Sequence, residues 1–276
     1  ADPNLKGIFR AEWVEAWEAL NNANRVKLRI EVDALSNFTN LKSHRNFEIL
    51  GLTNDMISSI EGIDNISYAQ MLAEIESTLD VLPADKVKNF SQIIQSGNKR
   101  GLVNSNPING IYDRRHSWLT LKVIQDNADI FKNAKSIEFE AILETIDGIP
   151  QSIPDIKLVV NSNGINKIKI GEVYAGTAGA KSNLATQTLT YIQEITDLMD
   201  LRFFRRLNLS DKASAKQAVI DAWKAGSVLE NPKFEELIVQ FDKDVVKSGF
   251  DLNFDSVESF LEKDSTWFEI IFNSKF

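Results

Sequence analysis

The sequence predicts an α+β fold in which a helical N-terminal region precedes an α-β-β-β-α-β core and a set of C-terminal helices. Three observations carry that expectation. Near the start, "FRAEWVEAWEAL" places Phe9, Trp13, Trp17 and Leu20 at helical spacing, with Glu12, Glu15 and Glu18 elsewhere on the cylinder. In the middle, "SIEFEAILE" alternates, with Ile137, Phe139, Ala141 and Leu143 on one side and Glu138, Glu140 and Glu144 on the other, the period of a strand. Just beyond, "PDIKLVVNSNGINKIKIGEVY" reads as two β-branched strands around Asn163-Gly164, a dipeptide suited to the positive φ angles of a type I′ turn.

The remaining elements follow in chain order. Residues 1–100 read as helical, with amphipathic stretches at Asp55–Glu61, Tyr68–Leu79 and Ala84–Gln95, the last opened by Pro83 in its first turn. Gly97–Asp113 is rich in Gly, Asn and Pro and reads as a loop, which places a linker at 101–114. The core then spans 115–210. It begins with a helix over His116–Ala128, with Trp118, Leu121, Ile124 and Ala128 on one face, and continues through "SIEFEAILE" and the hairpin. "YAGTAGAKSN" turns the chain, Leu184–Met199 is helical, and "LRFFRR" forms a short strand. Residues 211–276 supply helices around Ala213–Lys224, Phe234–Val246 and Phe254–Leu261, packed on the core.

Bulk properties narrow the function. A chain of 276 residues, 43% hydrophobic and 25% charged, has the composition of a soluble globular protein. No apolar run approaches the roughly 18 residues of a membrane span, and no signal-peptide pattern opens the chain. Net charge of −8 argues against a whole-surface grip on nucleic acid, though not against a local basic patch. Cysteine is absent, which excludes disulfides and thiolate metal sites and suits either the cytosol or an exported segment. With only His44 and His116, zinc sites and histidine-rich nuclease motifs are disfavoured. Catalysis would rest on carboxylates, lysines, hydroxyls or amides.

A two-residue turn at Asn163-Gly164 sets the register by counting. Ser162 faces Ile165, Val160 faces Lys167, and Asp155 faces Glu172. Cross-strand Cβ atoms lie about 4.5–5.5 Å apart, and like charges directly opposite are destabilising. A shared divalent ion such as Mg²⁺, held by Asp155 and Glu172, would remove that repulsion. The same pair is also explained as a chance pairing at a fraying strand end, or as two acids each bridged to a lysine such as Lys157. On the following helix Gln187 lies one turn before Tyr191, sharing a face with Leu184, Ile195 and Leu198. A glutamine inside an apolar stripe needs partners, unless it sits at the stripe's edge and reaches water.

These residues resemble the PD-(D/E)xK nucleases, especially their RecB-like branch. The pattern is an α-β-β-β-α-β core of restriction-endonuclease-like type, an Asp on the second strand, Glu-x-Lys on the third, and Gln-x-x-x-Tyr on the next helix. Asp155, Glu172, Gln187 and Tyr191 occupy those positions. The upstream stretches "FRAEWVEAWEALNNANRVKLR" and "RRHSWLTLKVI" are similar to segments ahead of the nuclease core in C-terminal toxin regions of bacterial polymorphic toxins. The resemblance implies metal-dependent phosphodiester hydrolysis with Mg²⁺ or another divalent cation on Asp155 and Glu172, and with Gln187 and Tyr191 orienting the site or the substrate. It further implies a secreted or delivered toxin acting in the target cytoplasm, a nucleic-acid substrate with DNA favoured over RNA, a cognate immunity protein, and no membrane partner.

One position departs from the pattern. Tyr174 stands where the family carries the Lys that positions the attacking water. Lys157, on the strand face of Asp155, or Lys181, entering the next helix, are the expected substitutes. Arg202, Arg205 and Arg206 could hold a phosphate backbone, or they form a solvated basic strand edge. Two rival readings stand beside the nuclease: a catalytically silent binding module that keeps the fold without the lysine, and a helical adaptor that uses the Trp13/Trp17 face.

Overall fold

A computed structural model describes residues 22–58, 60, 67–94, 107–141, 143, 152–174, 180–205, 212–273 and 275–276. The Phe9–Leu20 stripe, the 175–179 turn and Arg206 lie outside these, as do the side chains of Tyr174, Lys181 and Arg205.

Helices α1 (Asn22–Ser43), α2 (Asn54–Ser58) and α3 (Tyr68–Val81) come first. Helix α3 starts where its sequence says: Ser67 accepts from the Gln70 amide, and the Gln70 side chain returns to the Ser67 N–H, a reciprocal capping box. The expected helix over 84–95 is interrupted. A short 3₁₀ turn (Ala84–Lys86) leads into strand β1 (Val87–Lys88), and helical residues resume at 90–94. Asn89, at φ 62°, breaks the regular path.

Helix α4 (Pro107–Asp126) begins inside the stretch that reads as a linker. Pro107 sits at its first position, where a missing N–H costs nothing. After α5 (Ala128–Asn133) come β2 (Ser136–Phe139), β3 (Ile156–Ser162), β4 (Ile165–Tyr174), α6 (Ala180–Tyr191) and β5 (Leu201–Arg205). The helix expected to run to Met199 therefore ends at Tyr191. Ile192, Ile195 and Leu198 stay buried, carried on turns and a 3₁₀ segment that preserve the inward spacing. Helices α7 (Lys212–Ala225), α8 (Pro232–Phe241), α9 (Val257–Lys263) and α10 (Thr266–Ile271) complete the chain, with a π-helical turn at Asp242–Val246 after α8.

The five strands form one mixed sheet in sequence order. Strands β2, β3 and β4 run antiparallel to their neighbours in turn, while β1 pairs parallel to β2 and β5 parallel to β4. Alternate residues feed two cores. Ile137, Phe139, Ile156, Leu158 and Val173 pack with Leu41, Leu72, Ile75, Leu79, Leu121 and Ile124 on one face. Ile170, Leu201 and Phe203 pack with Leu184, Trp223, Phe234 and Trp267 on the other. Helices from both sides of the 101–114 stretch thus share the first core, and the sheet is the middle layer of three. The alternation expected across 137–143 fails at Glu140. Its φ of 49° ends the strand, and Leu143 crosses into the second core.

Candidate metal centre

The hairpin takes the register that counting predicts. Asn163 and Gly164 have φ of 53° and 85°, the signature of a type I′ turn, and the Asn161 side chain accepts from the Gly164 N–H at 3.0 Å. Pairing runs from Ser162↔Ile165 to Ile156↔Gly171. Asp155 is the next residue outward on one strand and Glu172 on the other. The ladder closes there through a side chain: Asp155 Oδ2 accepts from the Val173 N–H at 2.6 Å.

Elements from both layers converge on this strand end. Helix α6 supplies Gln187 and Tyr191, one turn apart. Gln187 Nε2 donates to Glu172 Oε1 at 2.5 Å, and the Tyr191 hydroxyl donates to Glu172 Oε2 at 2.7 Å. Helix α4, on the opposite side of the sheet, supplies His116, whose Nε2 lies 3.0 Å from Asp155 Oδ1. Glu140 arrives through the left-handed bend that ends β2, fixed by its N–H on the Asp155 carbonyl at 3.2 Å. Asp155 is 6% exposed, Glu172 and Gln187 8%, and Tyr191 not at all, so the acids are oriented in a largely dry setting.

Burial dominates the electrostatics. It pushes the Glu172 carboxyl well above the usual glutamate range, and the charges of Asp155 and Glu140 push it further. Hydrogen bonds from the Tyr191 hydroxyl and the Asp155 backbone oppose the rise without cancelling it. Tyr191 is itself driven far above the ordinary phenol value, by burial first and by the Glu172 charge second, so it stays a donor at any physiological pH.

His116, Glu140 and Asp155 each offer one ligand atom within 4.8 Å of the others, and this trio could hold a metal ion. Its chemistry suits a divalent cation: two anionic oxygens and one imidazole nitrogen, on three separate elements, surplus in negative charge. The imidazole favours Mn²⁺ and other transition ions relative to an all-oxygen set, without excluding Mg²⁺. The trio shares Asp155 with the expected pair and places His116 and Glu140 beside it, while Glu172 stands alongside, held by Gln187 and Tyr191.

The expected cations fare differently. The Lys157 ammonium is bound by Glu194 at 2.8 Å, in the turn after α6, and not by either site acid. Arg202 is buried rather than presented to a phosphate. Its guanidinium donates to the carbonyls of Met199, Leu201 and Lys275, and burial lowers its pKa to about 10 against the pull of Asp200 and Asp197. Lys181 and Arg205 are placed by backbone alone, in α6 and at the end of β5, and Arg206 lies outside the described residues. His116 carries no local signal for its role, because its partner lies on a strand separated from it by the whole of β2. Glu140 reads as an ordinary outward residue of an alternating strand until its bend is known.

No helix among the described residues is long and apolar enough to cross a membrane. Comparison with protein-family models, curated proteins and solved structures finds no match to this chain.

Proposed function

We propose that the chain is a metal-dependent nuclease that hydrolyses phosphodiester bonds at the Asp155 end of the hairpin, as the PD-(D/E)xK resemblance implies. The observation that supports this most is the meeting of Asp155, Glu140 and His116 beside a Glu172 carboxylate gripped by the Gln-x-x-x-Tyr pair of α6. Asp155, Glu140 and His116 would hold the ion, with Glu172 as a further ligand beside them. A divalent cation there supplies Lewis-acid polarisation of a phosphate oxygen and makes water more acidic. The chain supplies the rest. Tyr191 and Gln187 fix both oxygens of Glu172, so its carboxylate points one way before any substrate arrives. Held this way, Glu172 would turn a fixed carboxylate oxygen toward the ion and the water beside it.

The direct test incubates the purified protein with plasmid and with total RNA, with Mn²⁺, Mg²⁺ or EDTA. Cleavage that requires the cation and disappears in Asp155→Ala and His116→Ala supports the reading, and cleavage untouched by both changes rejects it. Within this reading DNA is the favoured substrate. By resemblance, the protein is a toxin delivered into a target cell and neutralised by an immunity protein.

A second reading keeps the fold without the chemistry. It draws on Lys157, whose engagement by Glu194 leaves Tyr174 without its most direct substitute. A silent module of this kind would bind nucleic acid or protein with no turnover in any metal.

A further inference from the structure

The hydrogen-bond directions around Tyr191 are fixed by counting protons. A phenol carries one, and Tyr191 gives it to Glu172 Oε2 at 2.7 Å. Ser152 Oγ lies 3.3 Å from the same phenol oxygen. With the phenol proton already placed, Ser152 must be the donor in that contact and Tyr191 the acceptor. The chain therefore runs one way, from Ser152 to Tyr191 to Glu172.

This chain closes a circuit. Ser152 sits three residues before Asp155 on the segment that enters β3, while Tyr191 belongs to α6 and Glu172 to β4. Asp155 then returns to β4 by accepting from the Val173 N–H. The two acids are thus tied by one ring of contacts drawn from three elements. A donor behind the phenol also polarises it, strengthening the bond it makes in front, since hydrogen bonds in series reinforce each other in a dry site.

We propose that Ser152 is a positioning residue of the acidic site, setting the direction of the Glu172 carboxylate through the Tyr191 hydroxyl. The proposal rests on the metal-site reading above. Ser152 touches neither ligand nor substrate in this scheme, so its effect must pass through Tyr191 and vanish when the phenol is gone.

A double-mutant cycle tests it, with Ser152→Ala, Ser152→Thr, Tyr191→Phe and the Ser152→Ala/Tyr191→Phe pair. Each is followed by Mn²⁺ titration calorimetry, by kcat and KM for nucleic-acid cleavage, and by thermal midpoint. Ser152→Ala is expected to weaken Mn²⁺ binding and lower kcat, each by about three- to tenfold, with KM and the midpoint little changed. Ser152→Thr, which keeps the hydroxyl, restores both. In the Tyr191→Phe background, Ser152→Ala adds nothing further. Wild-type behaviour in Ser152→Ala overturns the proposal. So does an effect that persists in full without the phenol, or one that merely tracks a falling midpoint. A wild-type protein that binds Mn²⁺ but cuts nothing removes the nuclease reading alone, and the calorimetric cycle still decides. One that neither binds nor cuts removes both.

Discussion

Asp242 and Glu172 are both almost fully buried carboxylates, and their surroundings treat them in opposite ways. Asp242 sits in the turn after α8 and receives four donors: the Ser248 N–H and hydroxyl and the N–H groups of Gly249 and Phe250, at 2.7–3.2 Å. Burial alone would raise its pKa, but those four bonds outweigh it and hold the acid below its ordinary value. Glu172 receives fewer donors and has Asp155 and Glu140 for neighbours, so its pKa rises. One carboxylate completes a turn. The other belongs to a cluster of like charge, and two lysines on the same strands have other acids for partners. Lys157 is given to Glu194 and Lys169 to Asp200 instead. Under the proposed function, acids that organise backbone are supplied with donors, while acids that would face a cation are supplied with orientation.

The contrast is broken or sharpened most strongly by the acids themselves. Under the proposed function, Glu172→Gln and Asp155→Ala should each lower cleavage by about 10²–10⁴-fold; Glu172→Gln should hold or raise the metal-free melting temperature because a repulsion is relieved, whereas Asp155→Ala also strands the Val173 N–H and should lower it. A melting temperature that collapses with activity would make Glu172 a structural acid like Asp242. Asp242→Ala should do the reverse. It strands four donors, so chemical denaturation should report a loss of about 2–4 kcal/mol, with cleavage per folded molecule unchanged.

Gly171→Ala probes the strand between. An added Cβ would lie 2.6 Å from Phe204 Cε2 and 2.9 Å from Phe276 Cζ. Overpacking there should cost about 1–3 kcal/mol and disturb Glu172 next door, visible as reduced activity in the still-folded fraction.

Acidity separates the two carboxylates next. Glu172 has a folded pKa above its unfolded value, so the metal-free protein keeps this contribution below about pH 4.3 and loses it as pH rises through the raised value. Asp242 is shifted down, so its contribution stands above about pH 3.9 and is lost as pH falls through the folded value. Thermal melts across pH in EDTA should show both arms. Glu172→Gln should flatten the upper one, and Mn²⁺ should recover it in the wild type. The smallest effect belongs to Lys157→Met, which should leave cleavage within about twofold. A large, fold-independent loss there would return Lys157 to the site.

Much of the site was legible because local rules place it. Asn163-Gly164 dictates a two-residue turn, the turn dictates the register, and the register sets Asp155 across from Glu172. The spacing of Gln187 and Tyr191 needs only a helix. What sequence could not supply is tertiary. His116 finds Asp155 because α4 crosses the sheet end, and Glu140 reaches the cluster through a backbone angle that glutamate seldom adopts. The pairing of Lys157 with Glu194 was not legible either, because proximity along a strand face says nothing about a rival acid. Glu194 arrives on the turn that ends α6 early, where periodicity had suggested continuing helix. The fold shows the same division: the amphipathic period of Tyr68–Leu79 and the alternation through Ile137 and Phe139 were readable, and the two-residue β1 strand, which exists only through its partner, was not.

The Asn163-Gly164 turn has a chemical consequence for the ageing of this protein. An Asn-Gly pair deamidates when the glycine nitrogen attacks the asparagine side chain to form a succinimide. Here that nitrogen already donates to the Asn161 side chain, and the backbone is held in the left-handed region at both residues. The folded hairpin therefore protects its own weakest bond. Isoaspartate at position 163 is expected to form faster in molecules whose hairpin has opened, and would mark loss of the register on which the acidic cluster depends.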